Sequence, residues 1–330
     1  MEILTPKNIS IIFTAYNIVE YLQLAIYSFL EFYPEYHDSI IVFDDQSTDK
    51  TKEWLQKENI KSITWKNTDN YIIQFSRLRK LFSNQTGLNA SYRNSMMIKE
   101  IFTQIKTPYL MLNDADIIFT KGNWVEEYDK LIKDYKIIVP DEHYYYQWEM
   151  YKQFFNDKYI ANKLQKYQSL YYFDKSNFKE SMYRLHFFHS IIDLDYFKSI
   201  NLLFDNTQNN LFIKLIYNNA IMDTGSDFSW EILNRNIPYY VIKNVYNRWK
   251  SYIENYIPIT DFEFNNTYIY HARWISSYKR FQDEGIKDIP CYNTYEKIKV
   301  DFNNKLLFNW VNYLHKKYNT FYPEIYLGTL

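Results

Sequence analysis

The first 120 residues alternate between short apolar runs and segments whose apolar residues recur at helical spacing. The apolar runs at residues 9–13, 40–43 and 109–112 are typical of strands buried in a parallel sheet. Apolar positions at helical spacing over residues 22–30 and 98–105 predict helices that each bury one face. Because strands and helices alternate, the pattern predicts an α/β fold with a mostly parallel central sheet flanked by helices.

The pattern after residue 120 is less regular. It predicts a helix over residues 124–135 and a strand over 137–139, whereas a region rich in Tyr, Lys and Gln at 143–178 shows no clear period. Strand-like and helical runs return over residues 185–245. An apolar stripe predicts a C-terminal helix within residues 302–318, and its members are Leu306, Leu307, Trp310, Val311 and Leu314.

Charge and cysteine content narrow the functional classes. The net charge is -1, from 38 Lys and Arg against 39 Asp and Glu, which argues against nucleic acid as the main partner. The single cysteine, Cys291, excludes an intramolecular disulfide and fits a reducing compartment. No apolar stretch approaches the roughly 18 residues that a membrane-spanning helix needs. We therefore expect a soluble, cytoplasmic protein.

Polar clusters follow three of the predicted strands, at residues 14–17, 44–47 and 113–116. The carboxyl ends of neighbouring parallel strands meet at one edge of the sheet, which is where open α/β sheets bind ligands. We therefore expect these clusters to line a single crevice that holds several carboxylates together with Thr14 and Tyr16.

This crevice lacks a glycine-rich phosphate loop, because the first glycine of the chain is Gly87. A nucleotide bound there needs another way to neutralise its phosphates. Two carboxylates one residue apart at a strand end can hold Mn²⁺ or Mg²⁺, which fills its other positions with diphosphate oxygens and water. Asp114-Ala115-Asp116 has this arrangement, although the tripeptide alone is also typical of a solvated acidic turn.

The motifs together resemble the family 2 inverting glycosyltransferases of the GT-A fold. The resemblance is carried, in this order, by residues 10–17 (SIIFTAYN), 41–49 (IVFDDQSTD), Arg93-Asn94 and Asp114-Ala115-Asp116. A weaker continuation at residues 224–231 (TGSDFSWE) is similar to the acceptor-side Gly-x-Asp motif of the family. In this interpretation residues 1–120 form the nucleotide-sugar-binding half, 121–260 the acceptor-binding half and 261–330 a mainly helical C-terminal extension.

The resemblance implies transfer of a sugar from a nucleotide-diphosphate sugar, with a UDP-sugar as the expected donor. The acceptor would be a hydroxyl of a glycan or a lipid-linked molecule, in surface glycan or polysaccharide synthesis. The anomeric configuration would invert, and Mn²⁺ or Mg²⁺ would be the cofactor.

The resemblance also implies roles for individual residues. Thr14, Tyr16 and Asp44 would hold the nucleotide base, and Arg93 would offset phosphate charge. The full set of implied donor-binding residues is Thr14, Ala15, Tyr16, Asn17, Asp44, Asp45, Arg93, Asn94, Asp114 and Ala115. Asp116 would ligate the metal directly, Asp114 would contact the ribose or a metal-bound water, and His271 would be a third metal ligand or a diphosphate contact.

Asp227 is the implied general base, which takes the proton of the acceptor hydroxyl as it attacks the anomeric carbon. Glu231 lies four residues further on and is the rival for this role. The sequence departs from the family pattern at Asn113, at Ile117 and at Ser226, and Ser226 weakens the assignment of Asp227. His186 and His189 flank two Phe residues and are typical of core or acceptor-pocket positions.

Two other functions remain open at this point. A sugar nucleotidyltransferase uses a similar sheet and metal, but the loop after the first strand here has neither the Gly nor the Arg that such enzymes carry. A non-catalytic nucleotide- or carbohydrate-binding protein could share the scaffold. The C-terminal stripe could lie on a membrane surface near a lipid-linked acceptor, form a homodimer contact, or pack on the catalytic domain, and packing is favoured.

Overall fold

The structure is a computed structural model. It describes residues 3–65, 97–98, 100–139, 141–143, 184–187, 189–200, 202, 232, 235–242, 259–264, 267–272 and 305–321. At 141–143, 184–186, 259–264, 267–272 and 305–308 the description covers the backbone.

The described chain forms twelve strands. They are β1 (Ile9–Ala15), β2 (Ile40–Asp44), β3 (Lys61–Thr64), β4 (Tyr109–Asp114), β5 (Ile117–Lys121), β6 (Ile137–Val139), β7 (Asp141–His143), β8 (Arg184–His186), β9 (His189–Asp193), β10 (Tyr239–Val241), β11 (Ile259–Phe264) and β12 (Thr267–Ala272).

The main sheet has seven strands in the order β10-β6-β9-β4-β1-β2-β3. The strands β1 to β4 are parallel, and β10 is parallel to β6. Only β9 runs against its neighbours β4 and β6 within this sheet. A second, antiparallel sheet has the order β11-β12-β5, and β7 pairs with β8. The central sheet is therefore mixed and mostly parallel, as predicted.

Five α-helices have defined bounds in the described chain: α1 (Val19–Leu30), α2 (Thr51–Lys57), α3 (Trp124–Leu131), α4 (Leu194–Ser199) and α5 (Lys305–Tyr318). Residues 97, 98 and 100–104 are also helical, and Pro34–Ser39 form a 3₁₀ helix. Residue types at helical spacing explain α1, whose inward positions such as Leu22, Ile26 and Phe29 are fully buried.

Two apolar clusters cover opposite faces of the main sheet, because successive side chains of a strand point to opposite sides. Ile11 and Met111 belong to the cluster that includes α1 and α3. Ile12 and Leu110 belong to the other cluster, which includes α4 and the helical residues near 101. The sheet is thus buried on both faces, and its strand ends are the places where polar groups can meet a ligand.

The C-terminal helix α5 packs on α1 and β5. Val311 and Leu314 are fully buried, and the Trp310 indole nitrogen donates to the carbonyl oxygen of Phe119 in β5 at 2.8 Å. The packing alternative is therefore confirmed for Trp310, Val311 and Leu314 of the predicted stripe. Membrane or dimer contact through this stripe is left without support.

Glu31, at the end of α1, binds the last turns of α5 through hydrogen bonds. Its carboxylate accepts hydrogen bonds from the Tyr313 hydroxyl at 2.6 Å, the Lys317 ammonium at 2.7 Å and the Tyr318 hydroxyl at 2.5 Å. Burial alone raises the pKa of Glu31, but hydrogen bonds from Lys317, Tyr313 and Tyr318 bring that pKa below its usual value. Two helices far apart in sequence are joined here by a charged contact.

The sequence-based prediction of the elements is largely confirmed up to residue 112. It missed β5, and the helix predicted over residues 124–135 ends at Leu131. The predicted boundary at residue 261 falls inside β11, whose hairpin partner β12 joins β5. The three-part division of the chain stays a prediction. Within the described ranges, no helix combines the length and apolarity that crossing a membrane requires.

Candidate functional site

The order of the strands reverses between β1 and β4. The chain passes from β1 to β2 and β3 on one side and then returns to β4 on the other side of β1. Such a switch point opens a crevice at the carboxyl ends of the strands. Thr14 pairs with Asp114 there, and Ala15 pairs with Asp44. The three polar clusters predicted from the sequence therefore lie at one edge, on three adjacent strands.

The loops after β1 and β2 are joined through Asn17. Its backbone N–H donates to the Ser47 hydroxyl at 3.0 Å, and its side-chain oxygen accepts from the backbone N–H of Thr48 at 2.7 Å and of Asp49 at 3.3 Å. Asn17 has a φ of 49°, a left-handed conformation that Asn tolerates better than most residues. The Asn17 carboxamide thus fixes the shape of the crevice wall.

Asp49 caps two helices at once. One carboxylate oxygen accepts from the Val19 N–H at the start of α1 at 3.1 Å, and the other accepts from the Thr51 N–H at the start of α2 at 3.0 Å. Helix starts leave such N–H groups without intrahelical partners, and a carboxylate also interacts favourably with the helix dipole. Asp49 therefore fixes both helices relative to the crevice, a role that sequence analysis did not assign.

Asp44 and Asp45 are buried at the end of β2, with 3% and 1% of their surface exposed. The Asp44 carboxylate accepts from the Ser47 N–H at 3.0 Å. Burial raises the pKa of the Asp44 carboxyl above its usual value, and the hydrogen bonds from Ser47 oppose that shift. A buried carboxylate of this kind gains from a ligand N–H donor, because the donor replaces lost hydration.

The acidic turn lies between β4 and β5. Asp114 ends β4 and is half-buried, whereas Ala115 and Asp116 form the turn and are 2% and 3% exposed. The backbone of His271 in β12 pairs with Ile117, the residue after Asp116. Among the residues described, no group of three His, Cys, Asp or Glu side chains is arranged to hold a metal. Two carboxylates remain, and such a pair fits Mg²⁺ or Mn²⁺ held together with phosphate oxygens and water.

The other predicted site residues lie outside this geometry. Arg93, Asn94, Asp227 and Glu231 fall outside the described residues, and for His271 the description covers the backbone. Of the predicted donor residues, Thr14, Ala15, Tyr16, Asn17, Asp44, Asp45, Asp114 and Ala115 lie on the crevice edge defined by β1, β2 and β4.

His189 was predicted at a core or acceptor-pocket position, and the structure places it in the core, where it pairs with Asn113 next to the acidic turn. The ring nitrogen Nδ1 of His189 lies 2.6 Å from the side-chain oxygen of Asn113, and the Asn113 amide donates to the Ile12 carbonyl at 3.1 Å. Both side chains are fully buried. The departure from the family pattern at Asn113 was the one signal in the sequence that pointed to this position.

A mostly parallel sheet with a switch point, a buried acid at the end of its second strand and an acidic turn after its fourth strand is the arrangement expected of a GT-A type domain. The sequence pattern described as Glycosyl transferase family 2 matches residues 10–197, which is more than half of the chain. The chain therefore belongs to glycosyl transferase family 2. A comparison with curated protein sequences finds no match.

Several solved structures are similar in fold. The core-mannan synthase A (CmsA/Ktr4) of Aspergillus fumigatus in its Mn/GDP form is 14% identical with a TM-score of 0.36, over 58% of this chain and 60% of that one. The galactosyltransferase LgtC, in complex with donor and acceptor sugar analogues, is 11% identical with a TM-score of 0.41, over 71% and 73% of the two chains.

A synthase of a different class is similar to the same degree. The 4-diphosphocytidyl-2C-methyl-D-erythritol synthase of Anaerococcus prevotii is 12% identical with a TM-score of 0.37, over 73% of this chain and 88% of that one. This chain spans about 60% of the length of the Aspergillus structure. At such TM-scores these similarities bear on neither the activity nor the substrate of this chain.

Proposed function

We propose that this chain transfers a sugar from a nucleotide-diphosphate sugar, with UDP-sugar as the expected donor, to an acceptor hydroxyl with inversion. The observation that carries the proposal is the strand register at the switch point. Pairing of Ala15 with Asp44 and of Thr14 with Asp114 brings a buried acid and an acidic turn to one crevice. The buried acid would bind the base of a nucleotide diphosphate, and the acidic turn would bind its phosphates through a metal ion.

Asp44 is proposed to accept a hydrogen bond from the imide N–H of uracil. Its burial supports this role, since a hydrogen bond to a desolvated carboxylate is stronger than one exposed to water. Tyr16, half-buried in the loop after β1, would flank the base plane together with Thr14. The bonds that Asn17 makes to Thr48 and Asp49 hold this loop against the loop after β2.

Asp116 is proposed to bind Mn²⁺ or Mg²⁺ directly, with Asp114 binding the ribose or a metal-bound water. His271 is proposed as a third ligand, and the pairing of its backbone with Ile117 supports that assignment. When bound, the ion would offset the negative charge that develops on the departing nucleotide diphosphate. The chain's own part is to hold the half-buried Asp114 and the buried Asp116 at one edge of the sheet.

Asp227 is proposed as the general base and Glu231 as its rival, both from the resemblance of residues 224–231 to the acceptor motif. Inversion requires a base on the face opposite the leaving group, where it takes the hydroxyl proton as the new bond forms. The acceptor is proposed to be a glycan or lipid-linked hydroxyl bound by residues 121–260.

A thermal-shift panel of UDP, GDP, TDP and CMP, each with Mn²⁺ and again with EDTA, tests this proposal. A ligand that binds only the folded state raises stability by RT ln(1 + [L]/Kd), about 2.7 kcal/mol at 100 times Kd. We expect one nucleoside diphosphate, UDP, to raise the melting temperature with Mn²⁺ and to lose most of that effect with EDTA.

Asp116→Ala and Asp134→Ala are the matched variants for this panel. Asp134 lies exposed in the turn after α3, so its removal leaves the crevice intact. We expect Asp116→Ala to abolish the Mn²⁺-dependent shift and Asp134→Ala to keep it. No shift with any nucleotide, or an equal shift in Asp116→Ala, contradicts the proposed function.

A further inference from the structure

Asn113 links three strands of the main sheet at the point where the acidic turn begins. Its amide group donates to the Ile12 carbonyl in β1, and its oxygen accepts from His189 in β9. Because a carboxamide oxygen only accepts, the Nδ1 of His189 carries the proton. Asn113 and His189 also face each other in the antiparallel register of β4 and β9. The residue before Asp114 is therefore held from both sides.

The His189 ring also contacts the segment that follows the turn. It lies edge-on to Phe119 in β5 with ring centroids 5.4 Å apart, and edge-on to Trp124 at 5.1 Å. Tyr128 lies 5.5 Å from it. One side chain thus contacts the strand before the turn by a hydrogen bond and the strand after the turn by ring packing. Asp114 and Asp116 lie between these two contacts.

A buried polar pair is not the arrangement that maximises stability. Removing one partner leaves the other with an unmet hydrogen bond, but replacing both with apolar groups of similar shape is often nearly neutral. A hydrogen-bonded pair fixes the orientation of its two side chains, because a hydrogen bond sets the position of one atom relative to another. An apolar pair does not fix orientation in this way.

We propose that His189 and Asn113 are positioning residues that set the geometry of the Asp114–Asp116 turn for the metal and diphosphate. The inference rests on the proposed function for the identity of the ligand. Partners that orient metal-binding side chains without touching the metal commonly change metal affinity by about 10–100-fold when they are mutated. His189 acts in this way on the two carboxylates of the turn, through Asn113 on one side and Phe119 on the other.

Three variants separate the effect of the pair on the geometry of the turn from its effect on the stability of the fold. His189→Leu removes the donor, and His189→Leu combined with Asn113→Leu removes both polar partners. His189→Asn keeps a donor at the same distance along the side chain but loses the ring contacts. Ile191→Ala is the control, because Ile191 lies in the same strand as His189, is buried in the cluster that holds Phe119 and Trp124, and has no side-chain hydrogen-bonding group.

The first measurement is amide hydrogen exchange of the backbone over residues 114–119, together with the melting temperature. It requires no ligand. We expect faster exchange of the turn in the double variant than in wild type although the melting temperature is largely recovered. In Ile191→Ala we expect a lower melting temperature without selective exchange at the turn.

The second measurement is the Kd of UDP with Mn²⁺. We expect a loss of about tenfold or more in His189→Leu and in the double variant, and a smaller loss in His189→Asn despite its lower stability. If affinity and turn protection simply follow melting temperature across all four variants, the pair is only structural and the inference is wrong.

The two proposals fail separately. Wild type that binds no nucleotide contradicts the proposed function, while selective exchange at the turn still decides whether His189 and Asn113 position it. Wild type that binds UDP with Mn²⁺, together with a double variant of unchanged affinity and unchanged turn protection, overturns the positioning role alone.

Discussion

At the crevice, the sequence predicts where single residues lie along the strands, but not their burial or their hydrogen-bond partners. The sequence indicates that Asp44 follows a buried strand, and the structure agrees. The burial of Asp44 depends on the folded sheet. The Asn17 side chain joins two loops by bonding to a residue about 30 positions away. Asp49 shows the same limit, since its capping of α2 is local but its capping of α1 needs the folded sheet. Local spacing predicts which residues reach the edge but not what they bond there.

Asp44→Asn is expected to stabilise the apo protein at neutral pH and to weaken nucleotide binding by about 1.5–3 kcal/mol. Burial raises the folded-state pKa of Asp44 above its unfolded value, so the ionised carboxylate costs stability at pH values above both. That cost is absent below the unfolded pKa, grows as pH rises from the unfolded to the folded pKa, and is fully present above the folded pKa. The neutral Asn side chain can still accept from the Ser47 N–H.

Melting temperatures of wild type and Asp44→Asn at pH 4 to 8 check this prediction. The advantage of the variant should widen from the unfolded pKa up to the folded pKa of Asp44 and stay constant above it, whereas an advantage that shrinks with rising pH contradicts the prediction. Nucleotide affinity at pH 7 measures the loss of binding.

Asn17→Gly and Asn17→Ala separate the hydrogen bonds of Asn17 from its backbone conformation. Both variants lose the side-chain oxygen that accepts from Thr48 and Asp49, which should cost about 1–3 kcal/mol. Only Ala adds strain at a φ of 49°, about 1–2 kcal/mol more. Urea unfolding measures both values, and equal stability of the two variants would contradict the role of the left-handed backbone.

At the scale of elements, local sequence patterns predict where strands and helices lie, but they do not predict which strands pair. The strands β1, β2 and β4 and the helix α1 follow from short apolar runs and helical spacing. The strand β5 was missed although Ile117, Ile118 and Phe119 form an apolar run, because its partner β12 lies about 150 residues away. The antiparallel direction of β9 could not be predicted either, since it depends on which strands flank it.

Leu314→Ala in α5 is expected to destabilise the protein by about 2–5 kcal/mol, because Leu314 is fully buried in the apolar cluster that α5 shares with α1. Lys316→Ala, two residues further on and exposed, should change stability by less than about 0.5 kcal/mol. Urea unfolding of both variants compares them. A Leu314→Ala protein as stable as Lys316→Ala would mean that α5 is not part of the cooperative unit.

At the scale of the whole molecule, the two apolar clusters and the switch point explain why the chemistry lies where it does. Both faces of the main sheet are covered, so the strand ends are left for polar residues. The helix α5 adds to the apolar cluster that includes α1. Its Trp310 donates a hydrogen bond to β5, the strand that follows the acidic turn. The fold class was predictable from alternating patterns, whereas the place of a distant C-terminal helix in this cluster was not.

The reaction is followed by nuclear magnetic resonance of a UDP-sugar incubated with the protein and Mn²⁺, with water as the acceptor and the spectra recorded before the released sugar mutarotates. Phosphorus spectra identify the leaving group, and the anomeric proton of the product reports its configuration. We expect release of a nucleoside diphosphate and a product whose anomeric configuration is inverted, with neither in Asp116→Ala. Release of a sugar 1-phosphate, a product of retained configuration, or equal turnover in Asp116→Ala would contradict that expectation.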